Sequence, residues 1–194
     1  MKNINRIWLL IIGTLLFIIS YKLDNQVNLL FTGLRFPLLD VVFGLITNFN
    51  LVILAMVVMP SIIFYRNKKK SVYLLWLTFL ISVILAFIIK LIVLRQRPLE
   101  ALVYQIKPLT YPLINILVYS FPSMHAMVAF SLLPVIIKYL PKQKFFRIIF
   151  AFLVAFSRVY FGFHFLSDVV FGGFLGYFIG NFLLEMHEKG KLWK

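Results

Sequence analysis

A 194-residue chain that is 62% hydrophobic, with a mean hydropathy of +0.98 and 22 phenylalanines, is too apolar for a water-soluble fold and long enough for one membrane bundle. Its 20 basic and 6 acidic residues give a net charge of +14, but the charges sit between apolar runs, so they set membrane topology and argue against nucleic-acid binding. The lack of cysteine excludes disulfides, a thiolate nucleophile and a zinc–thiolate site.

Lys2 and Arg6 precede an apolar run at residues 7–21. No small-x-small cleavage site follows it (Ile19-Ser20-Tyr21-Lys22-Leu23), so it reads as a first membrane span and not as a signal peptide. Residues 24–40 form a mixed connection with an interfacial amphipathic turn around Val27–Phe36. A second span covers 41–65 and carries Asn48, Asn50 and Pro60; the basic turn Arg66–Lys70 follows. The third span, 71–94, holds Lys90 near its far end.

Residues 99–121, flanked and interrupted by four prolines from Pro98 to Pro122, are too irregular to face lipid and read as an external loop over the site. A fourth span at 123–140 is expected to kink at Pro134, and a fifth runs over 145–161. The sixth, 169–184, repeats Gly172, Gly176 and Gly180 at four-residue spacing, a stripe that lets another helix approach closely. The fold class is therefore all-α: an integral membrane six-transmembrane-helix bundle, with residues 1–194 as a single domain.

Six spans place both termini on one side. The N-terminus, the two turns at Arg66–Lys70 and Lys138–Arg147 and the tail hold 13 of the 20 basic residues. By the positive-inside rule those segments are cytoplasmic, and the opposite ends of the helices face outward. Three of the seven basic residues on the outer side, Lys90, Arg97 and Arg158, are candidate site residues.

The stretch Ser157 to Asp168 sets an arginine, a histidine and an aspartate among aromatic residues. Ionisable groups at membrane segments are costly and point to function. His164 and Asp168 are four residues apart and become neighbours if the backbone there is helical. Asp168 there accepts one ring N–H of His164 and leaves the other nitrogen free to attack. Gly162 can turn the chain so that Arg158 joins them as an anion clamp.

Lys90 and Arg97 share a helix face about 10 Å apart along the axis, close enough for both side chains to meet one anion. A basic patch that snorkels to headgroups is the plainer alternative. Ser123 is a candidate N-cap of the fourth span, which frees the backbone N–H groups of Met124 and His125 for an anion and sets His125 to protonate a leaving oxygen. An ordinary capped helix with an interfacial histidine fits the same residues. Glu185, Glu188 and His187 fall on the cytoplasmic side, so the outer side is too poor in carboxylates for a two-metal centre.

Lys-x6-Arg-Pro at Lys90 to Pro98, Pro-Ser-x-His at Pro122 to His125, and Ser-Arg-x5-His-x3-Asp at Ser157 to Asp168 together resemble the three signature motifs of the type 2 phosphatidic acid phosphatase superfamily. The order, the spacing and the six-span layout are all similar to its membrane branch. The resemblance implies His164 as a nucleophile forming phosphohistidine, Asp168 as its partner and His125 as the leaving-group acid. It also implies Lys90, Arg97, Arg158, Ser123 and the Met124 backbone as phosphate ligands, with no metal or other cofactor. Met124 departs from the family, which often has glycine there, and its side chain must then point away from the phosphate.

The expected activity is hydrolysis of a lipid phosphate or diphosphate at the outer leaflet. Undecaprenyl diphosphate is the lead substrate; phosphatidylglycerol phosphate, phosphatidic acid and the phosphates of lipid A are alternatives. A transporter or a non-catalytic lipid-binding protein is the competing class. A transporter would set charges at mid-span on several helices, whereas these gather at the outer ends; a lipid-binding protein would not need His164, His125 and Asp168 together.

Overall fold

The computed structural model describes residues 6–34, 36–65, 69–98 and 119–192. Among them the chain is all helical: α1 Arg6–Gly33, α2 Pro37–Ile46, α3 Phe49–Tyr65, α4 Lys69–Val93, α5 Met124–Tyr139, α6 Lys144–Tyr160 and α7 Leu166–Glu188. The external loop expected at 99–121 lies outside the described residues for 99–118, as does Arg66 to Lys68 of the basic turn.

Among the described residues three helices are long and apolar enough to cross a bilayer, and a fourth crossing results if the bent pair α2–α3 counts as one. α5 has 16 residues, about 24 Å at 1.5 Å per residue, which is short of a hydrocarbon core of about 30 Å. It is instead a central helix, with ten residues from Ala126 to Ile136 buried. Pro134 sits inside it without ending it.

The first span corrects the expectation most. It does not stop near Tyr21; the helix runs on to Gly33, so the connection and amphipathic turn expected between residues 24 and 36 are for the most part helix. No proline or glycine breaks the run through Lys22–Gln26, and Asp24 is turned inward, only 4% exposed. Trp8, Leu15, Leu16 and Ile19 face outward from the same helix.

The second span is broken where a continuous helix was expected. α2 and α3 meet at Thr47–Asn48 and bend by 54°. Asn48 supplies the physical cause, since its Oδ1 accepts from Asn50 N at 3.0 Å and caps the new helix. A π-helical turn at Leu54–Val58 follows just before Pro60, which lacks an N–H and so cannot complete the α-helical ladder. Arg147 of α6 donates to the Ala55 carbonyl in that turn.

α4 buries a stripe of Ser71, Leu74, Leu75, Thr78, Ser82, Ala86 and Lys90, which recur at helical spacing along one face. Small and self-satisfied polar residues make this stripe inward-facing: Thr78 Oγ1 donates to Leu74 O and Ser82 Oγ to Thr78 O. Lys90 is the last member, and so it points into the bundle and not toward headgroups. α5 and α7 then meet along the predicted glycine stripe. A Cβ on Gly172 would lie 2.7 Å from Ser123 O, and Cβ atoms on Gly176 and Gly180 would collide with the carbonyls of Met127 and Ser131. Only glycine permits that backbone approach.

Candidate active site

The third motif folds around a turn. α6 ends at Tyr160, Gly162 adopts φ 65°, and the Arg158 carbonyl accepts from Phe163 N at 3.0 Å and His164 N at 3.2 Å. This left-handed turn suits glycine and sets His164 in the connection between two helices. His164 and Asp168 are not on one helix, because α7 starts only at Leu166. They still meet: His164 Nδ1 is 3.6 Å from Asp168 Oδ2, beyond the ~2.7–3.2 Å of an N–H···O hydrogen bond. Asp168 Oδ2 accepts instead from Phe165 N at 2.9 Å, as the carboxylate half of a cap on α7.

The other ring nitrogen of His164 faces the first motif. Arg97 Nη1 lies 3.4 Å from His164 Nε2 and donates to Phe163 O at 2.5 Å. Lys90 and Arg97 do not share a helix face, again contrary to expectation. α4 ends at Val93, Leu94 takes a left-handed φ of 51°, and Pro98 biases Arg97 toward extended backbone. Lys90 Nζ donates to Tyr119 O at 2.6 Å, just before the second motif.

Arg158 is buried, with its guanidinium 4.5 Å from the Phe163 ring centroid and its Nη1 donating to Thr47 Oγ1. Its Nε is buried without a hydrogen-bond partner among the described residues. Ser123 occupies the expected N-cap position of α5, but its side chain makes no capping hydrogen bond. Its hydroxyl is buried and has no hydrogen-bond partner among the described residues, while its backbone N donates to Asp168 O at 3.0 Å. Met124 begins α5, and its side chain packs on the main core, which directs it away from the N-terminal backbone. His125 stands 4.8 Å from the Phe49 ring, edge to face, with the Thr47 backbone near its ring.

Burial, then the charges of Arg97, Arg158, Lys90 and His125, hold the His164 imidazole well below the ordinary histidine range. Near neutral pH it is the free base. Burial brings Arg97 down to about 10, against the opposing pull of Asp168, and it remains cationic. Among the described residues no group of three or more His, Asp or Glu could hold a metal. The arrangement thus offers a neutral imidazole nitrogen, a carboxylate behind it and several cations around it. Such a set suits transfer of a dianionic group through histidine.

Four participants were not legible as site residues: Thr47 and Phe49 at the break in the second span, and Asp24 and Arg95 behind Asp168. Arg95 falls inside the first motif, yet nothing in its spacing marks its partners.

A PAP2 superfamily model matches residues 70–191. An undecaprenyl-diphosphatase of Sulfolobus acidocaldarius is 29% identical over 136 residues, 69% of this chain, and the chain spans 63% of that relative's length. Among solved structures, the transmembrane PAP2-type phosphatidylglycerolphosphate phosphatase of Bacillus subtilis superposes with a TM-score of 0.73 at 25% identity, covering 97% of this chain and 98% of that one. Aquifex aeolicus LpxE gives a TM-score of 0.65 at 27% identity, over 84% and 95% respectively.

Proposed function

The chain belongs to the PAP2 superfamily, and from that premise we propose that it is a membrane lipid phosphatase working through a covalent phosphohistidine. Its single transmembrane domain would cross the bilayer six times, with α2–α3 as one broken span, the short α5 shielded within the bundle and α6 turning Phe152 and Phe156 outward. Both termini would be cytoplasmic and the site would open to the outer leaflet, in keeping with the basic-residue bias.

The carrying observation is the placement of His164, with Nε2 beside Arg97 and Nδ1 beside Asp168. In the proposed reaction His164 Nε2 attacks phosphorus as the bond to the leaving oxygen breaks, and His125 gives that oxygen a proton. Asp168 steadies the Nδ1–H as positive charge grows on the ring. Lys90, Arg97, Arg158, Ser123 and the Met124 backbone N–H neutralise the equatorial oxygens. The unpartnered Ser123 hydroxyl and Arg158 Nε support this part, because a phosphate oxygen would satisfy them. Water then attacks the phosphohistidine, His125 takes its proton, and phosphate leaves with His164 restored. No metal takes part.

Undecaprenyl diphosphate is the lead substrate, supported by the Sulfolobus relative's name. Phosphatidylglycerol phosphate is the second reading, favoured by the near-complete overlap with the Bacillus structure. The test is phosphate release by purified protein in lipid nanodiscs, on undecaprenyl diphosphate, phosphatidylglycerol phosphate and phosphatidic acid at matched concentration. The highest kcat/KM is expected on undecaprenyl diphosphate, with no release by His164→Ala. Preference for phosphatidylglycerol phosphate selects the second reading, and release by His164→Ala removes the nucleophile.

A further inference from the structure

The mechanism above leaves Arg95 unused, yet this side chain ties three parts of the chain together. Its Nη1 donates to Asp168 Oδ1 and to Ser167 Oγ, each at 2.7 Å, and its Nη2 donates to Asp24 Oδ2 at 2.7 Å. Asp24 accepts in turn from Ser167 N at 2.8 Å and Ser167 Oγ at 2.5 Å. The guanidinium lies 4.1 Å from the Phe165 ring centroid and 5.4 Å from that of Tyr21. Behind it, the Arg95 carbonyl accepts from Ser120 N at 2.7 Å, which fixes the backbone that carries it.

Two carboxylates buried side by side repel each other and lose their hydration, so a shared cation is required between them. Arginine suits that place because its planar fork bonds two acceptors at once, where a lysine ammonium is a point charge. The consequence for Asp168 is orientational. Arg95 holds Oδ1 and the Phe165 N–H holds Oδ2, so the carboxylate cannot rotate away from His164 Nδ1.

We infer that Arg95, anchored by Asp24 of α1, is a positioning residue that fixes the Asp168 carboxylate for His164. This makes the first span part of the support of the catalytic pair, and it rests on the reading of His164 as nucleophile. A competing role exists, since Arg95 also borders a cavity of about 310 Å³ lined by Phe17, Tyr21, Val93 and Phe121, where it could touch substrate directly.

The experiment compares Arg95→Met, Arg95→Lys and Asp24→Asn with wild type and His164→Ala, full length in nanodiscs. Steady-state turnover is read on the best lipid phosphate, with inorganic phosphate as competitive inhibitor. Arg95→Met should lower kcat about 100-fold, and Arg95→Lys and Asp24→Asn about 10-fold, the range for groups that orient a reacting histidine. KM and the phosphate inhibition constant should stay within about threefold, because the clamp is untouched. Unchanged kcat in the Arg95 variants overturns the inference. So does a rise in KM and inhibition constant matching the loss, which makes Arg95 a substrate ligand. If Arg95→Met does not fold, Arg95→Lys and Asp24→Asn decide by the same two criteria. Full turnover by His164→Ala overturns the nucleophile reading itself, and the inference with it.

Discussion

Arg158 Nη1 donates to Thr47 Oγ1 at 2.5 Å, which ties the arginine of the third motif to the break in the second span. The Thr47 backbone also lies near the His125 ring, and Phe49 packs edge-on against that ring. Thr47 thus borders two groups proposed to act on opposite ends of the reacting bond. Thr47→Val keeps the shape and the carbonyl but removes the hydroxyl. Losing one charge-assisted hydrogen bond of about 1.5 kcal/mol should lower kcat/KM roughly tenfold, with folding intact. Steady-state kinetics on the best lipid phosphate check this, and unchanged kcat/KM would mean that Arg158 needs no such partner.

The glycine stripe gives a prediction about stability. Gly176→Ala drives a Cβ into the Met127 carbonyl, a backbone atom that cannot move without separating α5 from α7. A loss of at least the ~1–3 kcal/mol of an overpacked core is expected, read as a lower unfolding midpoint in detergent. Gly44→Ala is the control: nothing lies within 4 Å of its Cβ, so it should be neutral or stabilise by up to ~1 kcal/mol through helix propensity.

Topology is testable because the chain has no cysteine to remove. Leu34→Cys, between α1 and α2, should react with a membrane-impermeant thiol reagent from outside intact cells. Lys142→Cys, in the turn between α5 and α6, should react only after permeabilisation. Both positions are exposed. Reversed labelling would put the site on the cytoplasmic side and exclude outer-leaflet substrates.

Removing metal should leave turnover unchanged, whereas vanadate should inhibit. The charged groups around His164 are chiefly cations, and five-coordinate vanadate resembles the phosphoryl transition state. Activity lost in chelator and restored by a divalent ion would contradict the metal-free mechanism.

Apolar runs made most of the helices legible from the residues alone, and glycine spacing showed that a helix approaches α7 closely, though not that it is α5. The three motifs pointed to His164, Arg97 and Asp168, which the fold brings together. What stayed hidden depends on long-range partners. Asp24 reads as the start of the connection after the first span because a charge in an apolar run suggests an interface, but Arg95, 71 residues away, takes it inside. Thr47 lies 111 residues from Arg158, and no local pattern joins them. Helical spacing also misled at one point: Leu94 takes a left-handed conformation just past the end of α4, so Lys90 and Arg97 do not share a helix face. His164 reaches Asp168 from the turn that Gly162 opens, since α7 begins only at Leu166.

The stereochemical course at phosphorus tests the covalent mechanism most directly. A phosphorothioate analogue of the best monophosphate lipid, made isotopically chiral, would be hydrolysed in isotopically labelled water and the product's configuration determined. Attack by His164 followed by attack of water makes two in-line displacements, so net retention is expected. Net inversion would mean that water attacks the lipid phosphate in a single step, and that His164 is not the nucleophile.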